Sequence, residues 1–319
     1  MIIKNINKKD IEIYFDKVTQ IGISDIKLAN EMYHYICKYF SDSKYTEEDL
    51  EKYNYFYPEI EVDGAIISRI AYRCIGINSY KDIDDYLKLS KDSILTNYNK
   101  NILNEMDFKI ELENLEKQYL LLQRKISETY KLTNMITMED VIINEDELFS
   151  KYFSVKVNKH IDIFEKIKQF LFILDNLSKI KTQPVIIYMN NVEAYLTLDE
   201  LNEIKEVITK MNNIYLIIAS GKSEYLNLNY LEKINFLSNS YIEYLPPLET
   251  VIEKVILCLK GNSKVDTEEI KAFLQRNMIK IASKNSDFGN YDKLIFEALI
   301  SIPKYNLNVK YELENCIII

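Results

Sequence analysis

Two continuous apolar runs, PVIIYMN (184–190) and NIYLIIAS (213–220), flank a segment with a different rhythm. Runs of this length without polar alternation predict strands buried on both faces. Between them Leu201, Ile204, Val207, Ile208 and Met211 recur at helical spacing. Thr197 stands where an N-cap belongs, and Glu200 three residues on completes a capping box. Two strands joined by one helix predict a parallel pair with a right-handed crossover.

The pattern extends both ways. YFSVKVN (152–158) alternates like a strand, 160–180 is a strongly apolar helix, and SYIEYL (240–245) is a further strand. Near the start, 11–24 predicts one or two strands, and 25–40 predicts a helix capped by Ser24 or Asp25. Asp63-Gly64 between two apolar runs signals a hairpin. Over 82–134 the pattern is helical. Phe108, Leu112, Leu115, Tyr119, Leu122, Ile126 and Thr129 alternate at four and three, an a/d seam. It predicts an antiparallel helical arm, with 85–95 as the second strand of the coil. Pro246-Pro247 closes the α/β part. Beyond it 248–300 predicts about three helices, and the last residues a strand. The expected division is a head built from 1–81 and 135–247, an arm over 82–134, and a smaller domain over 248–319.

Composition narrows the class. The 319 residues are 47% apolar and 28% charged, as in globular domains. No apolar run is long enough to span a bilayer, and MIIKNINKKD lacks a signal-peptide core. A cytoplasmic protein with no membrane partner is expected. Cys37, Cys74, Cys258 and Cys316 are far apart in sequence and read as buried small residues or free thiols. The net charge of −9 leaves room for a local basic patch.

Gly221-Lys222-Ser223 follows a strand and carries the last three letters of a phosphate-binding loop. The first glycine of that motif is missing, because Leu216 stands five positions earlier, inside the strand. The six glycines offer neither a P-loop nor a G-x-G-x-x-G spacing anywhere. The three letters read as a polar turn.

The stretch 150–245 resembles the CRISPR-associated Csn-two family of type II-A systems. The resemblance lies in the order of an I-F-E-K helix (163–166), an apolar strand ending at Asn190, and Y-L-T-L-D-E (195–200) opening a helix before a second buried strand. It is looser over 1–150 and absent over 248–319 against short members; longer members carry C-terminal extensions, and this chain looks like one of those. It implies an α/β fold related to P-loop kinases, with a degenerate phosphate loop, no nucleotide turnover and a projecting helical arm. It also implies a ring-shaped homotetramer with a basic inner wall, which encircles duplex DNA from free ends without sequence preference. That ring serves spacer acquisition beside the adaptation integrase and the RNA-guided effector nuclease. Short members bind calcium ions.

Several residues fit these expectations. The first strand, loop and helix keep one glycine, Gly22, and place Ser24 and Asp25 where glycines and a lysine belong. A carboxylate at that helix start repels phosphate. Candidates for phosphate contact are Arg69, Arg73, Arg124, Lys125, Lys151, Lys156 and Lys159. Each also reads as a solvated or ion-paired surface charge. Hard oxygen ligands for calcium are offered by Glu139, Asp140 and Glu145, followed by Asp146 and Glu147. The same stretch also reads as a plain acidic loop. His34 and His160 read as packing or capping residues, and no catalytic constellation is visible. Two other readings stand beside the DNA ring: a metal-dependent nuclease using 139–147, and a scaffold that binds protein through the arm.

Overall fold

The computed structural model describes residues 1–6, 9–41, 44–52, 57–89, 93–103, 105–129, 160–180, 183–238, 241–259, 266–282 and 295. They fall into two compact units, Met1–Ser79 with Thr182–Ile319, and Tyr80–Lys181.

The first unit is built on the two apolar runs. They form β7 (Val185–Asn190) and β8 (Ile214–Ser220), which pair in parallel from Val185↔Ile214 to Asn190↔Ala219. All six residues of β7 are buried, as expected for a strand covered on both faces. The crossover helix is α7 (Leu198–Lys210), and both halves of its capping box form. β8 pairs on its other side with β3 (Val18–Ile23), which pairs in turn with β9 (Ile234–Ser238), all in parallel. The antiparallel strand β10 (Tyr241–Glu243) closes one edge and the parallel strand β6 (Arg73–Ile77) the other. The sheet order is β10-β9-β3-β8-β7-β6.

The strands of the first 72 residues divide between two sheets, one of which holds a strand at Ile2–Ile6 that the pattern does not predict. β1 (Ile2–Ile6), β2 (Lys9–Glu12), β4 (Ile60–Val62) and β5 (Ala65–Ile66) form a small antiparallel sheet in the order β2-β1-β4-β5. The hairpin between β4 and β5 turns at Asp63 (φ 52°) and Gly64 (φ 81°). Positive φ at both central residues suits a tight hairpin and is why Asp-Gly occurs there. Helix α1 (Ile26–Tyr39) lies between the sheets. Met32, Tyr35 and Ile36 bury against Ile3 and Ile60 on one side and Ile186, Tyr188 and Ile217 on the other.

The opposite face of β9 is covered by α8 (Leu248–Leu259) and α9 (Thr267–Ala282). Val251, Val255, Phe273 and Met278 share one core with Ile234 and Phe236. No break in that core follows Pro246-Pro247.

In the second unit α3 (Tyr80–Tyr86) and α4 (Ile94–Leu103) pack on α6 (Ile163–Ile180). Tyr86 stacks on Phe170 with ring centroids 5.6 Å apart, and Lys166 Nζ meets Asp84 Oδ1 at 2.8 Å. The segment expected as the coil's second strand is therefore engaged with α6. The long helix α5 (Met106–Thr129) carries the a/d seam and has no buried residue. The strand expected over 152–158 and the one expected at the chain end lie outside the described residues.

Candidate functional site

Open parallel sheets take ligands beyond the carboxyl ends of their strands, where backbone amides are free to point at an anion. In this chain that edge is built from the ends of β3, β8 and β7. The turn from β3 into α1 is where a phosphate loop would stand, and its Ser24 and Asp25 amides are already bonded. The Ser24 and Asp25 N–H groups both donate to the Leu237 carbonyl, at 3.0 and 3.2 Å. Ser24 Oγ donates to the same oxygen at 2.7 Å. The Asp25 carboxylate accepts the Leu28 N–H at 3.0 Å and so caps α1. A carboxylate at the helix N-terminus fills the position that favours negative charge. Gly22 leaves no cradle either. A Cβ there would lie 2.8 Å from Phe236 Cδ1 and 3.1 Å from Ile279 and Leu226. Its missing side chain makes room for protein.

The second anion candidate, Gly221-Lys222-Ser223, is closed from inside. The Gly221 N–H donates to Glu193 Oε1 at 2.8 Å. The Lys222 N–H donates to Ser220 Oγ at 3.0 Å. Ser223 is buried, its Oγ accepting the Ile279 N–H at 3.1 Å while Gln275 Nε2 donates to its carbonyl at 3.1 Å. Helix α9 thus anchors the loop. Beside it Tyr225 donates its hydroxyl to the Leu196 carbonyl at 2.8 Å. Lys205 Nζ donates to the Tyr225 carbonyl at 3.2 Å, and burial pulls that lysine down to about 8. The expected polar turn is what stands there.

At the end of β7 sits a group of amides. Asn190 is fully buried, and its Nδ2 donates to Asn30 Oδ1 at 3.2 Å and Asn78 Oδ1 at 3.1 Å. Asn191, in the left-handed region at φ 51°, donates to Asn78 Oδ1 at 3.3 Å. The group ties α1, β6 and β7 together. Among the described residues it holds neither a nucleophile nor a base aimed at a common point. Asn78 and Glu193 carry no local sequence signal, because their partners come from distant segments.

The expected phosphate contacts have different surroundings. Arg69 Nε donates to the Tyr39 carbonyl at 3.1 Å, and a terminal nitrogen donates to the Ser41 carbonyl at 2.9 Å. Its guanidinium also lies 4.4 Å from the centre of the Tyr45 ring. It closes the C-terminal end of α1, where cations are favoured. Arg73 opens β6 and is half-buried. Residues 69–72 between them form neither helix nor strand, so no single element places the two arginines on one face. Arg124 and Lys125 are exposed on α5. From Lys117 to Ser127 that helix carries three cations and no carboxylate. Lys151, Lys156 and Lys159 lie outside the described residues, as do Glu139, Asp140 and Glu145. Among the described residues no three His, Cys, Asp or Glu side chains gather to hold a metal. His34, expected to pack, faces solvent on α1 with its ring edge-on to Tyr33. No described helix is long and apolar enough to cross a membrane.

Comparison with known proteins bears on the family and the fold. The model of the family described as CRISPR-associated protein Csn2 subfamily St matches residues 3–287. The solved structure of Stu0660 of Streptococcus thermophilus superposes with a TM-score of 0.80 at 21% identity, covering 94% of this chain and 92% of that one. That likeness concerns the fold. No curated protein matches.

Proposed function

This chain belongs to the family of CRISPR-associated Csn2 proteins, subfamily St, and on that premise we propose that it holds the ends of double-stranded DNA as a ring-shaped homotetramer, without turning over a nucleotide. The family acts in CRISPR adaptation. In the proposed role the ring presents DNA during spacer acquisition, beside the adaptation integrase and the RNA-guided effector nuclease.

The observation that carries the reading is the closed turn between β3 and α1. Its Ser24 and Asp25 amides bond to Leu237, and its helix start is capped by a carboxylate. On a parallel α/β sheet such a turn supports reading it as a degenerate kinase-type phosphate loop. What remains for a polyanion is surface charge. Arg124 and Lys125, exposed side by side on a helix stretch free of carboxylates, suit phosphate contact. The cations Lys151, Lys156 and Lys159 are proposed for the same wall. Arg69 is assigned to the helix end it closes. Calcium enters no step of this reading.

The test is retardation of a linear duplex across a salt series. Log affinity falls linearly with log salt, by about 0.9 per phosphate neutralised. The double variant Arg124→Ala, Lys125→Ala lowers affinity alike for unrelated sequences and makes the slope shallower. Absence of retardation at low salt, or affinity that changes with base sequence, would overturn the proposal.

A further inference from the structure

The sulfurs of Cys37 and Cys74 lie 3.5 Å apart. Cys37 stands near the end of α1 and Cys74 on the edge strand β6. The Cys74 N–H donates to the Phe40 carbonyl at 3.4 Å, so the two backbones are held together where the thiols meet. Both thiols are free and half-buried. Tyr33 and Gly76 pack beside them. A Cβ on Gly76 would lie 2.9 Å from Cys37 Sγ and would collide with the Tyr33 hydroxyl. Tyr188 stands edge-on to Tyr33, with ring centroids 5.1 Å apart. It is fully buried, and its hydroxyl has no hydrogen-bond partner among the described residues. Burial holds that hydroxyl well above the ordinary tyrosine range, and the two thiols add to the shift.

We propose that Cys37 and Cys74 form an oxidisable dithiol, a modification site that hydrogen peroxide closes into an intramolecular disulfide stapling α1 to β6. A zinc site does not fit, because tetrahedral zinc needs further ligands and the described residues gather no third one. A disulfide needs no other group. The sulfurs must close from 3.5 Å to about 2.05 Å with a Cβ–S–S–Cβ dihedral of about 90°.

The chemistry balances with the peroxide as the only co-reactant. Cys37 attacks one peroxide oxygen as the thiolate. The O–O bond breaks, Cys37 becomes a sulfenic acid, and the other oxygen leaves as water after taking a proton. Cys74 then attacks the Cys37 sulfur, the S–O bond breaks, and a second water leaves. Two thiols have lost two electrons and two protons, and the peroxide has been reduced to water. Cys37 is placed first because the Cys74 thiol, pushed well above the usual range by its hydrogen bond to Cys37 and by burial, is the poorer source of thiolate; in the second step Cys74 gives up its proton as the sulfenic oxygen leaves as water.

The experiment uses the full chain carrying Cys258→Ser and Cys316→Ser, so that only the pair remains. The folded protein is treated with hydrogen peroxide, and thiols are counted before and after. The expected result is loss of both thiols, loss of two hydrogen atoms in mass, and one digest fragment joining Cys37 to Cys74. Dithiothreitol reverses all three, and the oxidised form melts higher than the reduced one. Persistence of both thiols, or added oxygen in place of the link, overturns the proposal. Should the double variant not fold, digest mapping of the unaltered chain gives the same decision. There a Cys37–Cys74 fragment supports the proposal, and links only through Cys258 or Cys316 contradict it.

Discussion

The Glu193 carboxylate accepts the Gly221 amide at 2.8 Å, so an anion from this chain already occupies the position that a phosphate would need. A Cβ at 221 would lie 3.1 Å from Glu193 Oε1, so the carboxylate end would have to shift to admit it. The same replacement recurs at the β3–α1 turn, where Asp25 supplies the anion. Two places that resemble nucleotide loops in the sequence are thus satisfied internally.

The first prediction concerns nucleotide. A ligand at a hundred times its Kd stabilises a protein by about 2.7 kcal/mol. Excess ATP with magnesium is expected to leave the thermal midpoint unchanged. A clear rise would show that the internal carboxylates are displaced and the closed-loop reading is wrong.

Gly22→Ala tests the packing at the turn. The new methyl meets Phe236, Ile279 and Leu226 at 2.8 to 3.1 Å, and overpacking of this kind costs about 1–3 kcal/mol. Gly221→Ala meets only the end of the Glu193 side chain, which can swing away. Urea denaturation should show the larger loss for Gly22→Ala.

Helix α7 offers a local test. Glu200 N–H donates to Thr197 Oγ1 at 3.4 Å, while the Glu200 carboxylate accepts the Thr197 N–H at 2.7 Å. Thr197→Ala should destabilise by about 1 kcal/mol, whereas Thr197→Ser should nearly preserve stability. Equal effects of the two variants would assign the loss to something other than the cap.

Acid stability should depend on Asp49, at the third position of the short helix α2 (Glu47–Lys52). The Thr46 N–H first and then the Lys38 ammonium hold its carboxyl down at about 2, against 3.8 ordinarily. A depressed carboxylate stabilises the fold above its unfolded value, and that contribution is lost as pH falls through the folded one. The stability difference between the protein and Asp49→Asn should therefore shrink between pH 3.8 and about 2. A difference that stays constant across that window would contradict the assignment.

The parts of this fold legible in the sequence are those whose cause is local. β7 and β8 announce themselves because both faces are buried and every position is apolar. Thr197, Asp25 and Asp63-Gly64 act on neighbours within three residues. β6 escapes the pattern because Arg73, Cys74 and Gly76 interrupt its apolar run, and Gly76 is required by the Tyr33 and Cys37 side chains above it. Arg69 looks like a phosphate contact in sequence and closes a helix whose end lies thirty residues earlier in the chain. The periodicity of 248–282 shows that its helices have an apolar face, but only packing against Phe236 shows which core receives it. Closure of the candidate site is the least legible feature, since Ser24 with Leu237 and Gly221 with Glu193 join segments remote in sequence.

Enclosure of duplex DNA by a ring is tested most directly by topology. Linear duplex and covalently closed circles of the same sequence should be compared for retention by the protein at one salt concentration. Linear DNA should be held, closed circles should not, and one restriction cut should restore binding. Equal retention of closed circles and linear DNA would contradict enclosure by a ring.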